Sequence, residues 1–196
     1  MKDPKLAKIV ALHGSISLGH WGKRRNAFQS LVRSIIHQQV SGAAAASIQK
    51  KFVALFGRFP SPKAVLKMQV RKLRSAGLSK QKVAYIKDLA KKFSDGTIKH
   101  RRFGRMSNEE ITEHLTKVKG IGVWTAHMFL MFTLKRPDIL PTLDLGIRKG
   151  FQIVYGLKKL PNHDDMERRA RAWRNHASLA SLYLWRVADT KKRKRS

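Results

Sequence analysis

Residues 117–126 read K-V-K-G-I-G-V-W-T-A, and residues 143–146 follow as L-D-L-G. Gly120 and Gly122 form a Gly-x-Gly turn between two stretches of helical character. Such a turn exposes backbone N–H groups at the start of the second helix, where a phosphate can bind. The carboxylate of Asp144 stands shortly downstream in a chain that is otherwise strongly basic. Together the two segments predict chemistry beside a nucleic-acid backbone.

The charge of the chain indicates a polyanionic partner. Its 42 Lys and Arg against 12 Asp and Glu give a formal net charge of +30, and self-repulsion of this size opposes the compact state. Phosphate contacts would supply most of the salt-sensitive affinity. A membrane surface is the alternative polyanion. However, no segment approaches the ~18 continuous apolar residues of a spanning helix, and no signal peptide opens the chain. We therefore expect no membrane partner.

Cysteine is absent from the 196 residues. Its absence excludes disulfides, thiolate zinc sites and cysteine-ligated iron–sulfur clusters. The eight His residues show no zinc-ligand spacing, so we expect no transition metal.

The apolar pattern predicts an all-α fold. Apolar residues recur at three- and four-residue intervals within residues 28–36 and 82–93, as on one face of an amphipathic helix. Ser107 opens an S-x-x-E capping box for a helix reaching residue 118. Asp144 stands where another helix begins. The remaining predicted helical stretches are 43–56, 65–73, 123–134 and 173–187.

Further segments resemble the helix-hairpin-helix (HhH-GPD) superfamily of DNA glycosylases, and most closely its 3-methyladenine DNA glycosylase II branch. Q-Q-V-S at 38–41 resembles the family's Q-Q-x-S helix start, and G-L-S-K-Q-K at 77–82 resembles its G-L-S-x-x-K segment. P-T-L-D-L-G-I-R-K-G at 141–150 resembles the segment that carries the catalytic acid, and Y-L-W at 183–185 resembles the closing motif. These motifs occur in order and cover roughly residues 5–187.

The resemblance implies two helical lobes, and the basic run at the C-terminus predicts a tail. One lobe would be a helical bundle over residues 26–136 that contains the helix-hairpin-helix. The second would combine residues 1–25 with 137–188 and carry the catalytic Asp. Residues 189–196, which are rich in Lys and Arg, would form a basic disordered tail.

Asp144 is the candidate catalytic residue. Aspartate is also a favoured N-cap, and the two roles are compatible because a helix N-terminus favours the ionised carboxylate. The resemblance implies hydrolysis of the N-glycosidic bond of alkylated purines in duplex DNA, which initiates base excision repair. A fixed negative charge stabilises the oxocarbenium character of the sugar and orients or deprotonates the attacking water.

Position 124 predicts the reaction subtype. Glycosylases that also nick the backbone place a lysine at this point of the hairpin, where its amine forms a Schiff base. Trp124 supplies no amine, so the resemblance implies a monofunctional enzyme. By the same resemblance Trp185 lines the pocket for the damaged base, since aromatic faces attract cationic alkylated rings. Trp124 and Tyr85 are further pocket candidates, although each is compatible with a core position.

The resemblance also implies DNA contacts and a bound ion. Gln39 is the first candidate for the wedge that fills the gap left by a flipped base. The DNA-contacting candidates are Gln38, Gln39, Ser41, Lys119, Gly120, Gly122 and Thr125. The hairpin would hold a structural Na⁺ or K⁺ through the backbone carbonyls of Thr116, Val118 and Ile121. No other cofactor is expected.

Two departures from the family pattern keep alternatives open. Leu143 stands where relatives often have a second acid, and N-H-A at 175–177 replaces the more usual P-x-R. A glycosylase for uracil, hypoxanthine or an oxidised purine is therefore an alternative, as is a non-catalytic binder of damaged DNA. We expect a monomer that acts on double-stranded DNA containing damaged bases, in the cytoplasm and nucleoid, or in the nucleus of a eukaryote.

Overall fold

The computed structural model of the chain describes residues 3–16 and 26–193, with side chains described as far as residue 190. These ranges contain helices and no β-strand, which confirms the predicted all-α class. Short 3-10 helices occur at His100–Arg105 and Arg171–Trp173. The α-helices are α1 (Pro4–His13), α2 (Ala27–His37), α3 (Gly42–Ala54), α4 (Pro62–Lys67), α5 (Val70–Ser75), α6 (Lys80–Ser94), α7 (Asn108–Thr116), α8 (Val123–Phe132), α9 (Leu145–Tyr155), α10 (His163–Ala170) and α11 (Ala177–Arg193).

The chain divides into two compact units. Arg24–Phe129 forms one, which we call the hairpin unit, and Met1–Lys23 together with Leu130–Ser196 forms the other, which we call the acid unit. The two units divide between residues 129 and 130, inside α8, and the lobe boundary at residue 136 stays a prediction. Residues 123–132 are apolar except for Thr125 and His127, so the sequence gives no sign of a change of packing partner within this helix. Residues 17–25, which were predicted to belong to the second lobe, lie outside the described residues.

The hairpin unit is organised around α6. Its residues Val83, Ile86, Leu89 and Ala90 are buried as their periodicity predicts. Helices α2, α4 and α5 all contact α6. The apolar face of α2, predicted from residues 28–36, is buried along its whole length. Ser107 forms the predicted capping box with Glu110. Burial of these apolar side chains, at roughly 25 cal/mol per Å² removed from water, stabilises the unit.

In the acid unit, the packing of α9 against α11 positions the site. A Cβ added at Gly150 would lie 2.1 Å from the backbone oxygen of Leu184, so only glycine permits this approach. Ile147, Phe151 and Leu184 are fully buried in the surrounding core. The two helices therefore meet backbone to backbone beside the segment that carries Asp144.

Asp3 anchors the start of the acid unit. Its carboxylate caps α1 by accepting the N–H groups of Lys5 (3.0 Å) and Leu6 (3.1 Å). It also accepts the Tyr155 hydroxyl and the Trp173 indole N–H, the latter at 3.0 Å. Burial alone would raise the pKa of Asp3, but the hydrogen bonds from Tyr155, Trp173 and the two amides outweigh burial and lower it.

Several predicted helix bounds need correction. The stretch 65–73 is two short helices, α4 and α5, because the chain is extended at Met68 and Gln69. The stretch 173–187 is also broken after Trp173, where Asn175 has a φ of 67°. Helix α8 ends at Phe132 and not at residue 134. Helix α11 continues to Arg193, so residues 189–193 are helical instead of a disordered tail, and 194–196 lie outside the described residues.

Candidate active site and hairpin

The hairpin predicted at residues 117–126 is present between α7 and α8. The amide of Val118 donates to the carbonyl of Leu115 at 3.0 Å, and the amide of Ile121 donates to the carbonyl of Val118 at 3.1 Å. Val118 and Ile121 are almost completely buried. The apolar residues of the motif thus face the core and leave Lys117 and Lys119 exposed beside the turn.

The two glycines of the turn differ in their conformation and in the space around them. Gly120 has a φ of 80°, and a Cβ there would lie 2.1 Å from the ring of Tyr85. Gly122 has no positive φ, and a Cβ there would meet no heavy atom within 4 Å. The fold therefore requires glycine at 120 but not at 122, where the backbone is open to a close approach from outside.

Helix α8 starts without a capping side chain from the residue before it. Its first bond is the amide of Ala126 donating to the carbonyl of Gly122 at 3.0 Å, and glycine has no side chain that could accept from the amides of the first turn. Most other helices begin with an N-cap side chain that accepts such a bond, namely Asp3, Asn26, Ser41, Ser61, Ser79, Ser107, Asp144 and Asn162. This helix start is suited to binding an anion.

One face of α6 holds both the turn and the end of α2. The Lys82 ammonium donates to the carbonyl of Ile36 at 2.7 Å, and burial lowers the pKa of Lys82. Tyr85 packs against Gly120 and accepts from the amide of Gln81 at 2.5 Å. The ring contact assigns Tyr85 to the support of the turn. Its predicted place in a base pocket stays a prediction.

Asp88 lies farther along the same face of α6. Its Oδ2 accepts the backbone N–H of Lys119 at 2.8 Å, and both its oxygens accept from the Lys92 ammonium at 2.6–2.7 Å. Burial would raise the pKa of Asp88, but the bonds from Lys92 and Lys119 outweigh it and lower the pKa. Lys82 and Asp88 are site residues that the sequence analysis missed. Their helical spacing with Tyr85, on the face away from the core, was the available signal.

The Q-Q-V-S loop is tied to the turn through only one of its two glutamines. The Gln38 amide donates to the carbonyl of Gly120 at 2.8 Å. Gln39 is exposed and has a φ of 55°, a conformation that costs free energy in a non-glycine residue. Ser41 caps α3 by accepting the amide of Ala44 at 3.3 Å. Gln38 therefore supports the turn through a hydrogen bond, whereas the side chain of Gln39 is exposed.

In the acid unit, Asp144 is the N-cap of α9, as predicted. Its Oδ1 accepts the backbone N–H of Ile147 at 2.9 Å and the indole N–H of Trp185 at 2.8 Å. The side chain is partly exposed, and the neighbouring Leu143 and Leu145 are 67% and 52% exposed. The carboxylate is thus fixed by two donors at an accessible helix start.

Trp185 reaches Asp144 because Gly146 leaves room for it. A Cβ on Gly146 would lie 2.8 Å from Cδ1 and 3.0 Å from Nε1 of Trp185. Phe132 stacks on the indole, with ring centroids 6.1 Å apart and planes at 25°. The predicted place of Trp185 in a base pocket stays a prediction, and neither its bond to the carboxylate nor its contact with Phe132 was predicted from the sequence.

The remaining predicted residues have mixed outcomes. Trp124 is 45% exposed at the start of α8, so it is not a core residue. Thr125 is 5% exposed, which encloses its side chain in the protein and does not support a side-chain contact with DNA. The carbonyl of Val118, a predicted ion ligand, already accepts the amide of Ile121 and retains one further lone pair for an ion. The ion stays a prediction.

Within residues 3–16 and 26–193, no group of three or more His, Cys, Asp or Glu is placed to hold a metal ion. No helix in residues 3–16 and 26–193 is long and apolar enough to cross a membrane.

The chain is similar to known DNA repair enzymes. It is 31% identical over 189 residues to DNA-3-methyladenine glycosylase 1 of Schizosaccharomyces pombe, covering 95% of this chain and 83% of the relative. The structure of the 3-methyladenine DNA glycosylase of S. pombe in complex with abasic DNA matches with a TM-score of 0.76 at 31% identity, over 93% of this chain and 90% of that one.

A DNA-3-methyladenine glycosidase from Bacillus halodurans matches with a TM-score of 0.89 at 33% identity, over 98% of this chain and 88% of that one. The model of the HhH-GPD superfamily base excision DNA repair proteins matches residues 32–175, which include the hairpin and Asp144. This chain belongs to the HhH-GPD superfamily of base excision DNA repair proteins.

Proposed function

We propose that this protein is a monofunctional DNA glycosylase that hydrolyses the N-glycosidic bond of alkylated purines in duplex DNA. Its substrates would be of the 3-methyladenine and 7-methylguanine type, and its reaction would initiate base excision repair. The observation that carries the proposal is the Asp144 carboxylate, fixed by Ile147 and Trp185 at a helix start in a chain of net charge +30. The names of the S. pombe and B. halodurans relatives support the substrate class.

The carboxylate acts on the sugar and not on the base. The bond between C1′ and the base nitrogen breaks, its electron pair leaves with the base, and C1′ becomes cationic. Asp144 stabilises this cation and directs a water oxygen to C1′. The water's second proton passes to the carboxylate or to solvent, and the products are a free base and an abasic site. An alkylated purine carries positive charge before cleavage, so it leaves without a strong general acid.

The hairpin binds the DNA backbone in this proposal. The open start of α8 after Gly122 presents amides and a helix dipole to a phosphate oxygen, and Lys119 adds positive charge. The carbonyls of Thr116, Val118 and Ile121 would hold a monovalent cation that adds to this positive field. Gln39, exposed beside the loop's supported Gln38, is the group proposed to fill the space of the flipped base.

The proposal excludes lyase chemistry at the hairpin because position 124 carries an indole instead of an amine. Borohydride should therefore trap no covalent protein–DNA adduct, and strands should break only after alkali or heat. A trapped adduct would show that another lysine attacks the sugar. We also propose that the enzyme acts as a monomer on double-stranded DNA.

The deciding experiment measures released bases from duplex oligonucleotides that each carry one defined lesion. Single-turnover reactions with 7-methylguanine and 3-methyladenine should release the base with wild-type protein and not with Asp144→Asn. Parallel duplexes with uracil, hypoxanthine or 8-oxoguanine test the alternative lesions. Release of one of these in place of the alkylpurines would reassign the substrate. Tight binding to every damaged duplex with no release at all would indicate a non-catalytic binder.

A further inference from the structure

A carboxylate lies directly beside the turn that is proposed to bind phosphate. Asp88 on α6 accepts the backbone N–H of Lys119, the residue before Gly120, at 2.8 Å. Its side chain is only 16% exposed, and the Lys92 ammonium lies 2.6 Å from Oδ2. Asp88 is therefore a largely buried side chain of α6 that is hydrogen-bonded to the backbone of the turn.

By charge alone, this carboxylate opposes DNA binding. The chain has 12 acidic residues against 42 basic ones, and a negative group near a phosphate repels it. The ionised form is nevertheless held in place, since the hydrogen bonds from Lys92 and Lys119 lower the pKa of Asp88 against the effect of burial. The geometry of this carboxylate therefore has to be weighed against its repulsion of phosphate.

The geometric contribution is visible along the turn. Asp88 fixes the amide of Lys119, Tyr85 contacts the next residue, Gly120, and Gln38 bonds the carbonyl of Gly120. Two successive residues of the turn are thereby attached to α6 and to the end of α2. Gly122 and the amides at the start of α8 follow directly, so their direction depends on how firmly the turn is held.

We propose that Asp88 is a positioning residue for DNA binding, which fixes the backbone of Lys119 and so presents the open start of α8 to a phosphate. The proposal rests on the hairpin being the DNA contact of the proposed function. Its carboxylate accepts the Lys119 amide and thereby holds the turn that leads into α8. The Lys92 ammonium offsets the local negative charge.

Two substitutions with opposite expected signs test this role. Asp88→Ala removes both the charge and the acceptor, and it should weaken binding to undamaged and damaged duplex alike by about tenfold. Asp88→Asn removes the charge but keeps an oxygen for the Lys119 amide, so its affinity should equal or exceed that of the wild type. A charge effect alone would tighten binding in both variants.

A control and a third variant complete the test. Glu113 is 73% exposed and pairs with Lys117 at 3.1 Å, so Glu113→Ala removes a nearby negative charge without touching the turn. Its affinity should be unchanged or higher. Asp88→Glu keeps the charge but displaces the carboxylate by one methylene, and it should weaken binding as Asp88→Ala does.

Fluorescence anisotropy with undamaged duplex at fixed salt is the measurement, with thermal unfolding of each variant recorded beside it. Should Asp88→Ala fail to fold, the pair Asp88→Asn and Asp88→Glu decides alone. Unchanged or tighter binding of Asp88→Ala or Asp88→Glu would overturn the inference. Because no base is released in this assay, a wild-type protein that binds but does not excise would refute the proposed function and leave the test of Asp88 intact.

Discussion

The hairpin and the Asp144 region share one arrangement, an aromatic ring packed against a glycine, but the ring has a different role in each. In each, an aromatic ring from another helix lies against a glycine: Tyr85 against Gly120, and Trp185 against Gly146. At the hairpin the ring contacts and fixes backbone. At Asp144 the ring donates an N–H to a carboxylate at 2.8 Å. The difference predicts that variants of the hairpin change DNA affinity, whereas variants of the Asp144 region change the rate of cleavage.

The largest expected effect is that of Asp144→Asn. The amide keeps the size of the side chain and can still cap α9, but the charge opposite the sugar cation is lost. Single-turnover excision should fall by at least roughly 10²–10³-fold. Affinity for duplex DNA should be retained or increased because repulsion from phosphate falls. Substantial residual excision would remove Asp144 from the catalytic role.

Asp3 provides the matched control for Asp144. It too caps a helix and accepts an indole N–H, but it is buried, with 8% of its surface exposed. Its pKa is lowered in the folded state, so its contribution to stability is complete above the pKa of an unfolded aspartate. That contribution is lost as pH falls through the lower, folded-state value. Asp3→Asn should lower the melting temperature at pH 7, and the melting temperature of the variant should fall less than that of the wild type as the pH is lowered. The single-turnover rate at 25 °C should not change.

Trp185→Phe is expected to have the next largest effect. Phenylalanine retains an aromatic ring against Phe132 but cannot donate to Oδ1 of Asp144. A hydrogen bond to a charged group is worth about 1.5–3 kcal/mol, so excision at saturating enzyme should fall by roughly tenfold or more. The dissociation constant for DNA should change little. A change in affinity with an unchanged rate would assign Trp185 to base or backbone contact alone.

Trp173→Phe is the control for the loss of an indole donor. It removes the N–H that Asp3 accepts and should reduce stability with no effect on the rate. A two-dimensional ¹H–¹⁵N spectrum gives an independent readout. Asp144→Asn should move the indole signal of Trp185 and leave that of Trp173 in place.

The sequence predicted the hairpin and the N-cap position of Asp144 from short-range patterns, whereas the catalytic role of Asp144 was predicted from the resemblance to the HhH-GPD family. Gly120, Gly122 and the apolar positions around them lie within one turn of each other, and Asp144 directly precedes the helix that it caps. The capping box at Ser107 and the buried face of α2 were predicted for the same reason. Each of these depends on residues three or four positions apart.

The missed features depend on contacts between distant residues. Asp88 meets Lys119, 31 residues later, and Trp185 meets Asp144 across 41 residues. The helical spacing of Asp88 with Lys82 and Tyr85 is visible in the sequence, but its bond to the distant Lys119 amide is not. The division inside α8 has no local signal in the sequence, because a continuous apolar helix does not show where its packing partners change.

The two glycines of the turn allow the hairpin half of the comparison to be tested. Gly120→Ala forces a Cβ to 2.1 Å from Tyr85 at a φ of 80° and should destabilise the protein by about 2 kcal/mol or more. Gly122→Ala meets open space and should leave the free energy of unfolding within about 0.5 kcal/mol of the wild type. Urea unfolding measures both.

Gly122→Ala should still reduce DNA affinity several-fold, because the added methyl occupies the space proposed for a phosphate. This combination, unchanged stability with weakened binding, separates a ligand-facing glycine from a structural one. Excision at saturating enzyme should be close to that of the wild type. Full affinity in Gly122→Ala would show that the open face of this residue does not contact DNA.

The smallest expected effect is that of Lys119→Ala. Its ammonium is exposed beside the turn, while its backbone N–H remains bound to Asp88 whatever the side chain is. Affinity should fall by a similar factor for damaged and undamaged duplex, because a phosphate contact carries no information about the base. A plot of log affinity against log salt concentration should lose about 0.9 of its slope if one phosphate contact is removed. Weaker binding to damaged duplex alone would instead place the Lys119 ammonium at the flipped base. In that case Lys119 would not fit the comparison in which the hairpin determines DNA affinity and the Asp144 region determines the rate of cleavage.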